Sequence, residues 1–108
     1  MNKTPVQIEP TYGCIAATMA IIGNKWTALI LRDLFNGPKG FCELEKSVGN
    51  INPRTLSQRL DDLEDQGILK KKSWPNQPHK SQYSLTRKGQ ELLPTLKQMA
   101  AWGTKYAR

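Results

Sequence analysis

Hydrophobic residues in the first third of the chain recur at intervals of three and four positions, which is the spacing of amphipathic helices. This pattern predicts a short helix over about residues 14–22 and a longer helix over residues 25–36. Asn24 is suited to cap the start of the longer helix, and Gly37 is suited to follow its end. Two consecutive helices are therefore expected before residue 38.

Two more helices are predicted, over residues 41–48 and 53–66, with a short turn between them. Asn52 can cap the fourth helix, Pro53 suits its first turn, and Gly67 suits the position after its last residue. Three leucines at helical spacing are expected to form its buried face: Leu56, Leu60 and Leu63.

After Gly67 the hydrophobic period changes to an alternation that predicts two short strands, over residues 68–74 and 80–85. The polar segment 75–79 contains two prolines, so we expect it to be a loop outside the central sheet. Thr86 can cap a last helix, and Pro94 is expected to bend or divide that helix near residues 90–93.

The order helix, short turn, helix and β-hairpin is that of a winged helix-turn-helix. We therefore predict a mainly α (α+β) fold that forms one domain over residues 1–108. Its recognition helix would span about residues 53–66. A wing of two or three strands would span about residues 68–86.

The second helix of such a motif enters the major groove and contacts bases with its N-terminal residues. Helical geometry places Arg54 and Gln58 on the outer face of the predicted recognition helix, flanked by Thr55 and Ser57. Arginine and glutamine can form paired hydrogen bonds with guanine and adenine edges, so we predict that these four residues contact DNA. An ordinary amphipathic surface helix would show the same pattern, and at this level both interpretations stay open.

The distribution of charge favours a polyanionic partner. The 108 residues include sixteen Lys and Arg against nine Asp and Glu, for a net charge of +7. Residues 66–90 contain six Lys or Arg and no Asp or Glu. Such a basic run is either a solvated face or a surface that binds nucleic acid.

Cysteine and histidine are too few for several other classes of site. Two cysteines and one histidine cannot supply the four ligands of a structural zinc site, and they make a disulfide framework unexpected. We expect no cofactor. No stretch approaches the roughly 20 apolar residues of a membrane span, and the N-terminus does not resemble a signal peptide.

An ordered series of short motifs carries a family resemblance. It covers about residues 12–103 and comprises Gly23-Asn24-Lys25-Trp26, Ile30-Leu31, Leu34, Phe41, Glu43-Leu44, Arg54-Thr55-Leu56, Leu60, Leu63-Glu64, Gly67-Ile68, Tyr83-Ser84-Leu85-Thr86, Gly89 and Trp102. The chain resembles the HxlR-type winged helix-turn-helix transcriptional regulators, which are distant relatives of the MarR group.

The resemblance implies a bacterial, cytoplasmic, homodimeric regulator that binds double-stranded DNA at a palindromic operator. The terminal helices, over about residues 12–22 and 87–106, would form the dimer interface. Apolar residues in those helices exceed what a three-helix core can cover, which also favours a dimer. The operator, the sign of regulation and any small-molecule effector are left open by the sequence.

Cys14 is the residue with the least settled role. At the start of the predicted first helix, its thiol would feel the positive end of the helix dipole, which favours the thiolate. Members of the resembled family use a cysteine here to sense oxidants or electrophiles, although here Ile15 replaces the proline that commonly follows it. The alternative is a small apolar residue packed at the dimer interface, with Cys42 as a bystander.

The wing is expected to position the protein on the DNA backbone. We predict that Lys71, His79 and Lys80 contact phosphates or the minor groove, without reading sequence. The family often has an arginine before Phe41, where this chain has Gly40, which removes one potential contact with a DNA phosphate.

Two other functions fit the sequence less well. A winged-helix module that binds nucleic acid without sequence preference would more often carry lysines where this chain has Arg54, Ser57 and Gln58. A small thiol-based redox enzyme built on Cys14 would need a base or a second cysteine near it, and neither is close in sequence.

Overall fold

A computed structural model describes the backbone of residues 8–107, with side chains for residues 13–77 and 80–107. Six helices and three strands follow one another along this part of the chain. They are α1 Ile8–Ile22, α2 Lys25–Leu34, β1 Lys39–Gly40, α3 Phe41–Val48, α4 Pro53–Asp65, β2 Leu69–Trp74, β3 Gln77–Leu85, α5 Arg87–Gln90 and α6 Leu93–Tyr106. This order confirms the predicted winged helix-turn-helix.

The first helix is longer than predicted. It is helical from Ile8, the first residue described, so it includes both Pro10 and Gly13. Cys14 therefore lies beyond the first turn of the helix and not at its start.

The caps of α4 are formed as the sequence predicts. The side chain of Asn52 accepts a hydrogen bond from the N–H of Arg54 at 2.8 Å, and Pro53 occupies the first turn. At the other end, the N–H of Ile68 donates to the carbonyl of Leu63 and that of Gly67 donates to Glu64. These two bonds, with a φ of 75° at Gly67, are a Schellman ending.

The three strands form an antiparallel sheet in the order β1-β3-β2. Leu69 pairs with Leu85 and Lys71 with Tyr83, so these residues share the face that packs on the core. Lys70, Lys72 and Trp74 alternate with them and lie on the opposite face, which we call the outer face of the wing.

The prediction of a loop over residues 75–79 is correct for residues 75 and 76 but wrong for the rest, because β3 begins at Gln77 and includes Pro78. The ladder is irregular at this point: Ser73 pairs with Ser81 but Trp74 pairs with Gln77. Residues 78–80 are therefore extra residues in a bulge. A proline is accommodated there because it has no N–H to donate to a ladder.

Pro94 divides the C-terminal helix as predicted, leaving the single turn of α5 before α6. The Thr86 hydroxyl caps α5 by accepting from the N–H of Gly89 at 3.1 Å. The same hydroxyl lies 2.5 Å from the carbonyl of Gly67 and 3.1 Å from that of Ile68. Thr86 thus joins α5 to the end of α4 and the start of the wing.

The hydrophobic core lies between α2, α3, α4 and the inner face of the sheet. Its buried members are Ile22, Ile30, Leu31, Leu34, Leu44, Val48, Ile51, Leu56, Leu60, Leu63, Ile68, Leu69, Tyr83 and Leu85. In contrast, α6 contributes no buried residue. Among the described residues, no single helix is long and apolar enough to cross a membrane. The consecutive segments Gly13–Ile22 and Lys25–Leu34 pass that test only together, and they are bent by 77°.

Candidate nucleic-acid interface

The N-terminal half of α4 presents a polar surface to solvent. Arg54, Ser57 and Gln58 are all exposed and line one shallow surface groove, whereas Thr55 is half-buried at its side. The helix packs inward through its buried leucines, so this orientation is set by the core. Three of the four DNA-contact residues predicted on α4 therefore lie together, and Thr55 lies to one side of them.

Asp61 and Asp62 line the same groove one turn further along. The Asp62 carboxylate is 2.9 Å from the Arg59 guanidinium, which draws it to the flank of the helix. Asp61 makes no ion pair among the described residues and is exposed. A carboxylate can accept a hydrogen bond from the amino group of cytosine, so Asp61 extends the set of potential base contacts.

The C-terminal end of α4 is held by the element that follows the wing. The Lys88 ammonium donates to the carbonyl of Gln66 at 2.6 Å. Together with the Schellman bonds, this contact provides partners for carbonyls at the end of the helix. Thr86 bonds the carbonyls of Gly67 and Ile68, which follow the helix. The end of α4 is thus bonded directly to α5, the turn that leads into α6.

The wing lysines lie on both faces of the sheet. Lys71 pairs with Tyr83 on the inner face, and its ammonium lies 5.8 Å from the centre of that buried ring. The ammonium groups of Lys72 and Lys80 lie over the Trp74 ring instead, at 5.2 and 4.7 Å. The two lysines predicted from the sequence, Lys71 and Lys80, therefore have different surroundings. The side chain of His79 lies outside the described residues.

Cys14 is exposed on α1 and lines a groove of about 360 Å³ between α1 and α6. The groove is mainly apolar and is lined also by Ile15, Thr18, Met19, Ile22, Thr95 and Met99. The dipole argument for Cys14 is wrong, because the favourable end of a helix dipole acts within its first turn. Its position between the terminal helices is as expected.

Cys42 lies closer to the wing, which is predicted to contact DNA, than the sequence indicates. It is exposed in the first turn of α3. It also lines a groove with Lys80 and Gln82 of the wing. Chemical modification of Cys42 would therefore place new bulk next to a predicted phosphate contact.

Large apolar side chains are exposed on the terminal helices. Trp102 is 62% exposed and Tyr106 60%, and their rings contact each other with centres 5.3 Å apart. On the same helix Met99 is 45% exposed, and on α1 Ile15 and Met19 are 50% and 45% exposed. Exposed apolar side chains this large, on two neighbouring helices, are typical of an interaction surface. Within the part of the chain that the structure describes, no group of His, Cys, Asp and Glu could hold a metal ion.

Comparison with known proteins gives consistent matches over most of the chain. The HxlR-like helix-turn-helix family matches residues 21–108. The chain is 40% identical over 86 residues to the uncharacterised HTH-type transcriptional regulator YvaP of Bacillus subtilis, covering 80% of each protein. It is 42% identical over 89 residues to the uncharacterised regulator BH0655 of Halalkalibacterium halodurans, covering 82% of this chain and 79% of that protein.

Solved structures show the same similarity. The redox regulator HypR in its reduced form superposes with a TM-score of 0.80 at 33% identity, covering 84% of this chain and 90% of that chain. The reduced form of the transcriptional regulator YodB from B. subtilis superposes with a TM-score of 0.76 at 32% identity, covering 84% and 89%. Both the sequence and the fold therefore match transcriptional regulators.

Proposed function

The chain belongs to the HxlR-like helix-turn-helix family and is a transcriptional regulator, and from this premise we propose that it acts as a homodimer that reads a palindromic DNA operator through α4. Regulators of this family are not enzymes, so the thiol enzyme considered from the sequence is set aside. The partner is double-stranded DNA, and the site of action is the bacterial cytoplasm.

The observation that carries the proposal is the surface of Arg54, Ser57 and Gln58 at the start of α4. All three side chains are exposed on one side of a helix whose first turn is capped and whose other face is buried. Arg54 and Gln58 are four residues apart, so they project from adjacent turns. Such a pair can contact guanine and adenine edges in neighbouring base pairs.

Selection of bound duplexes from a random-sequence library tests the proposal. We expect a palindromic consensus whose half-site centres are separated by about one helical turn, or 34–36 Å, because two recognition helices related by a two-fold axis must enter successive major grooves. Footprinting of the DNA upstream of the chain's own gene then locates a natural site. Enrichment of no sequence above the starting library would favour the alternative of a nucleic-acid-binding module without base readout.

The dimer interface is proposed to include the exposed residues of α1 and α6. We expect the protein to sediment as a dimer at micromolar concentration, because burying these side chains removes large apolar areas from water. Trp102→Glu is expected to shift the equilibrium strongly towards monomer by placing a charge in the apolar contact. Lys46→Glu, a charge change at an exposed position of α3 outside both terminal helices, serves as the control. A folded wild-type monomer in dilute solution would contradict the proposal.

Cys14 is proposed to make DNA binding sensitive to oxidants. Peroxide oxidises a cysteine thiolate to sulfenic acid with release of hydroxide, which adds a polar group to the groove between α1 and α6. Two of the solved structures that are similar to this chain are those of the redox regulator HypR and of diamide-treated YodB. We expect mild peroxide to change operator affinity by about 5- to 150-fold, the range of typical allosteric coupling.

The cysteine experiment needs two matched variants, since Cys42 lies near the wing. Wild type, Cys14→Ser and Cys42→Ser are compared in operator titrations, each reduced and after peroxide. The proposal requires that Cys14→Ser abolishes the response and that Cys42→Ser retains it. A response that disappears only with Cys42→Ser would assign sensing to a direct effect at the wing.

A further inference from the structure

The aromatic ring of Trp74 lies among the cations of the wing. Lys72 lies two residues before it on the same strand and face, and its ammonium is 5.2 Å from the ring centre. Lys80 reaches the same ring from β3, at 4.7 Å. Both distances are within the ≈ 6 Å at which a cation is attracted to the face of an aromatic ring.

Lys80 reaches Trp74 from the neighbouring strand. Because Ser73 pairs with Ser81, an unbroken antiparallel ladder would place Lys80 directly opposite Trp74 and on the same face. The ladder is irregular beyond this pair, since Trp74 pairs with Gln77, but the Lys80 ammonium still lies over the ring. The ring is itself half-buried and therefore held in place.

Among the described residues, no carboxylate lies within ion-pair distance of Lys72 or Lys80. Residues 66–90 contain no Asp or Glu. In the part of the chain that the structure describes, the ion pairs are Arg32–Asp33, Arg59–Asp62 and Arg87–Glu91, so none involves a wing lysine. Two ammonium groups close to one ring also repel each other. The electron-rich face of Trp74 is thus the one feature of opposite sign among the described contacts of Lys72 and Lys80.

We propose that Trp74 is a positioning residue that holds Lys72 and Lys80 in a fixed arrangement for contact with two phosphates of the DNA backbone. The inference rests on the proposed function, because it assigns a role to the wing of a DNA-binding protein. A free lysine loses side-chain freedom when it binds at an interface, and this ordering costs about 2- to 10-fold in affinity per side chain. The ring removes part of that cost before DNA arrives.

The first test measures the lysines without DNA. In the NMR spectrum of the full-length protein, the ε-methylene protons of Lys72 and Lys80 are expected to be shifted upfield by the tryptophan ring current. Trp74→Leu should return both signals to ordinary lysine positions, and Trp74→Tyr should retain part of the shift. Lys71, which contacts Tyr83, is the internal control and should not move. Unshifted Lys72 and Lys80 signals in the wild type would overturn the proposal.

The second test measures binding to a random-sequence duplex of about 30 base pairs, long enough for both half-sites of a dimer. Trp74→Leu is expected to weaken binding about 5- to 10-fold, and Trp74→Tyr to restore most of the affinity. Because both lysines remain in Trp74→Leu, the slope of log affinity against log salt should change little. Lys80→Met should instead lower that slope by about one unit for each phosphate that is no longer neutralised.

A double-mutant cycle separates positioning from direct contact. In the background Lys72→Met/Lys80→Met, adding Trp74→Leu should change affinity less than 2-fold if Trp74 acts through the lysines. An undiminished 5- to 10-fold loss would overturn the proposal and indicate that the ring itself packs on DNA. Failure of the proposed function has a different signature. Lys80→Met and Trp74→Leu would leave binding to the random duplex unchanged, and Arg54→Ala would leave binding to any selected duplex unchanged, whereas the lysine proton shifts would persist.

Discussion

Replacement of Arg54 by alanine is expected to weaken operator binding by about 1–3 kcal/mol per half-site, and by about twice that amount for a dimer that occupies both. The expected cause is the loss of paired hydrogen bonds from the guanidinium to a guanine edge. Gln58→Ala is expected to cost a similar amount through an adenine. Binding to random DNA should change little, because the electrostatic contacts of the wing remain.

The measurement is a titration of each variant against the selected operator and a shuffled duplex at the same salt concentration. Glu64→Ala is the matched control, since Glu64 is exposed on the same helix but does not line the groove of Arg54 and Gln58. It should leave discrimination between the two duplexes intact. Equal losses on operator and shuffled DNA for Arg54→Ala would contradict the assignment of α4 as the reading helix.

Gly89→Ala is expected to lower the free energy of unfolding by about 2–3 kcal/mol, within the range for overpacking in a tight site. A Cβ at this position would lie 2.4 Å from the Ile68 carbonyl oxygen and 3.0 Å from a methyl carbon of Leu85. Either α5 or the start of the wing must move to relieve this contact. The movement would also disturb the hydrogen bond between Gly89 and Thr86.

Gly103→Ala makes the same chemical change but is expected to raise the free energy of unfolding. Gly103 lies inside α6, and a Cβ there would meet nothing within 4 Å. The substitution should stabilise the helix by about 0.5–1 kcal/mol, because alanine favours helix more than glycine does. Urea unfolding of both variants at one protein concentration, so that dimerisation contributes equally, checks the pair. Equal stability of Gly89→Ala and wild type would contradict the close packing described.

Features with local causes could be predicted from the sequence. Asn52, Pro53 and Gly67 define the ends of α4 through contacts within a few residues. Pro94 divides the last helix because its ring removes a backbone N–H and clashes with the preceding turn. The outward direction of Arg54 and Gln58 follows from the spacing of the leucines. These predictions needed no knowledge of distant contacts.

Features that depend on distant partners were missed or wrong. The two-residue strand β1 exists because Lys39 and Gly40 pair with Tyr83 and Gln82, about 40 residues away. The bulge that places Pro78 within β3 depends on the register between two strands. The dipole argument for Cys14 failed because the helix was predicted to begin at about residue 14, whereas α1 continues through Gly13. The low helix propensity of a single glycine does not end a helix that the surrounding structure favours.

The bonds at the C-terminal end of α4 limit how far the side chains at its N-terminal end can be displaced. The 13 residues of the helix make it about 20 Å long at 1.5 Å per residue. A rotation of about 3° at Gly67 would therefore displace the tip by about 1 Å. Hydrogen bonds to base edges tolerate about half that displacement. The bonds of Lys88 and Thr86, together with the Schellman bonds, limit how far α4 can rotate about this end. In the proposed complex, residues behind the recognition helix would thus affect how sharply α4 distinguishes one base pair from another.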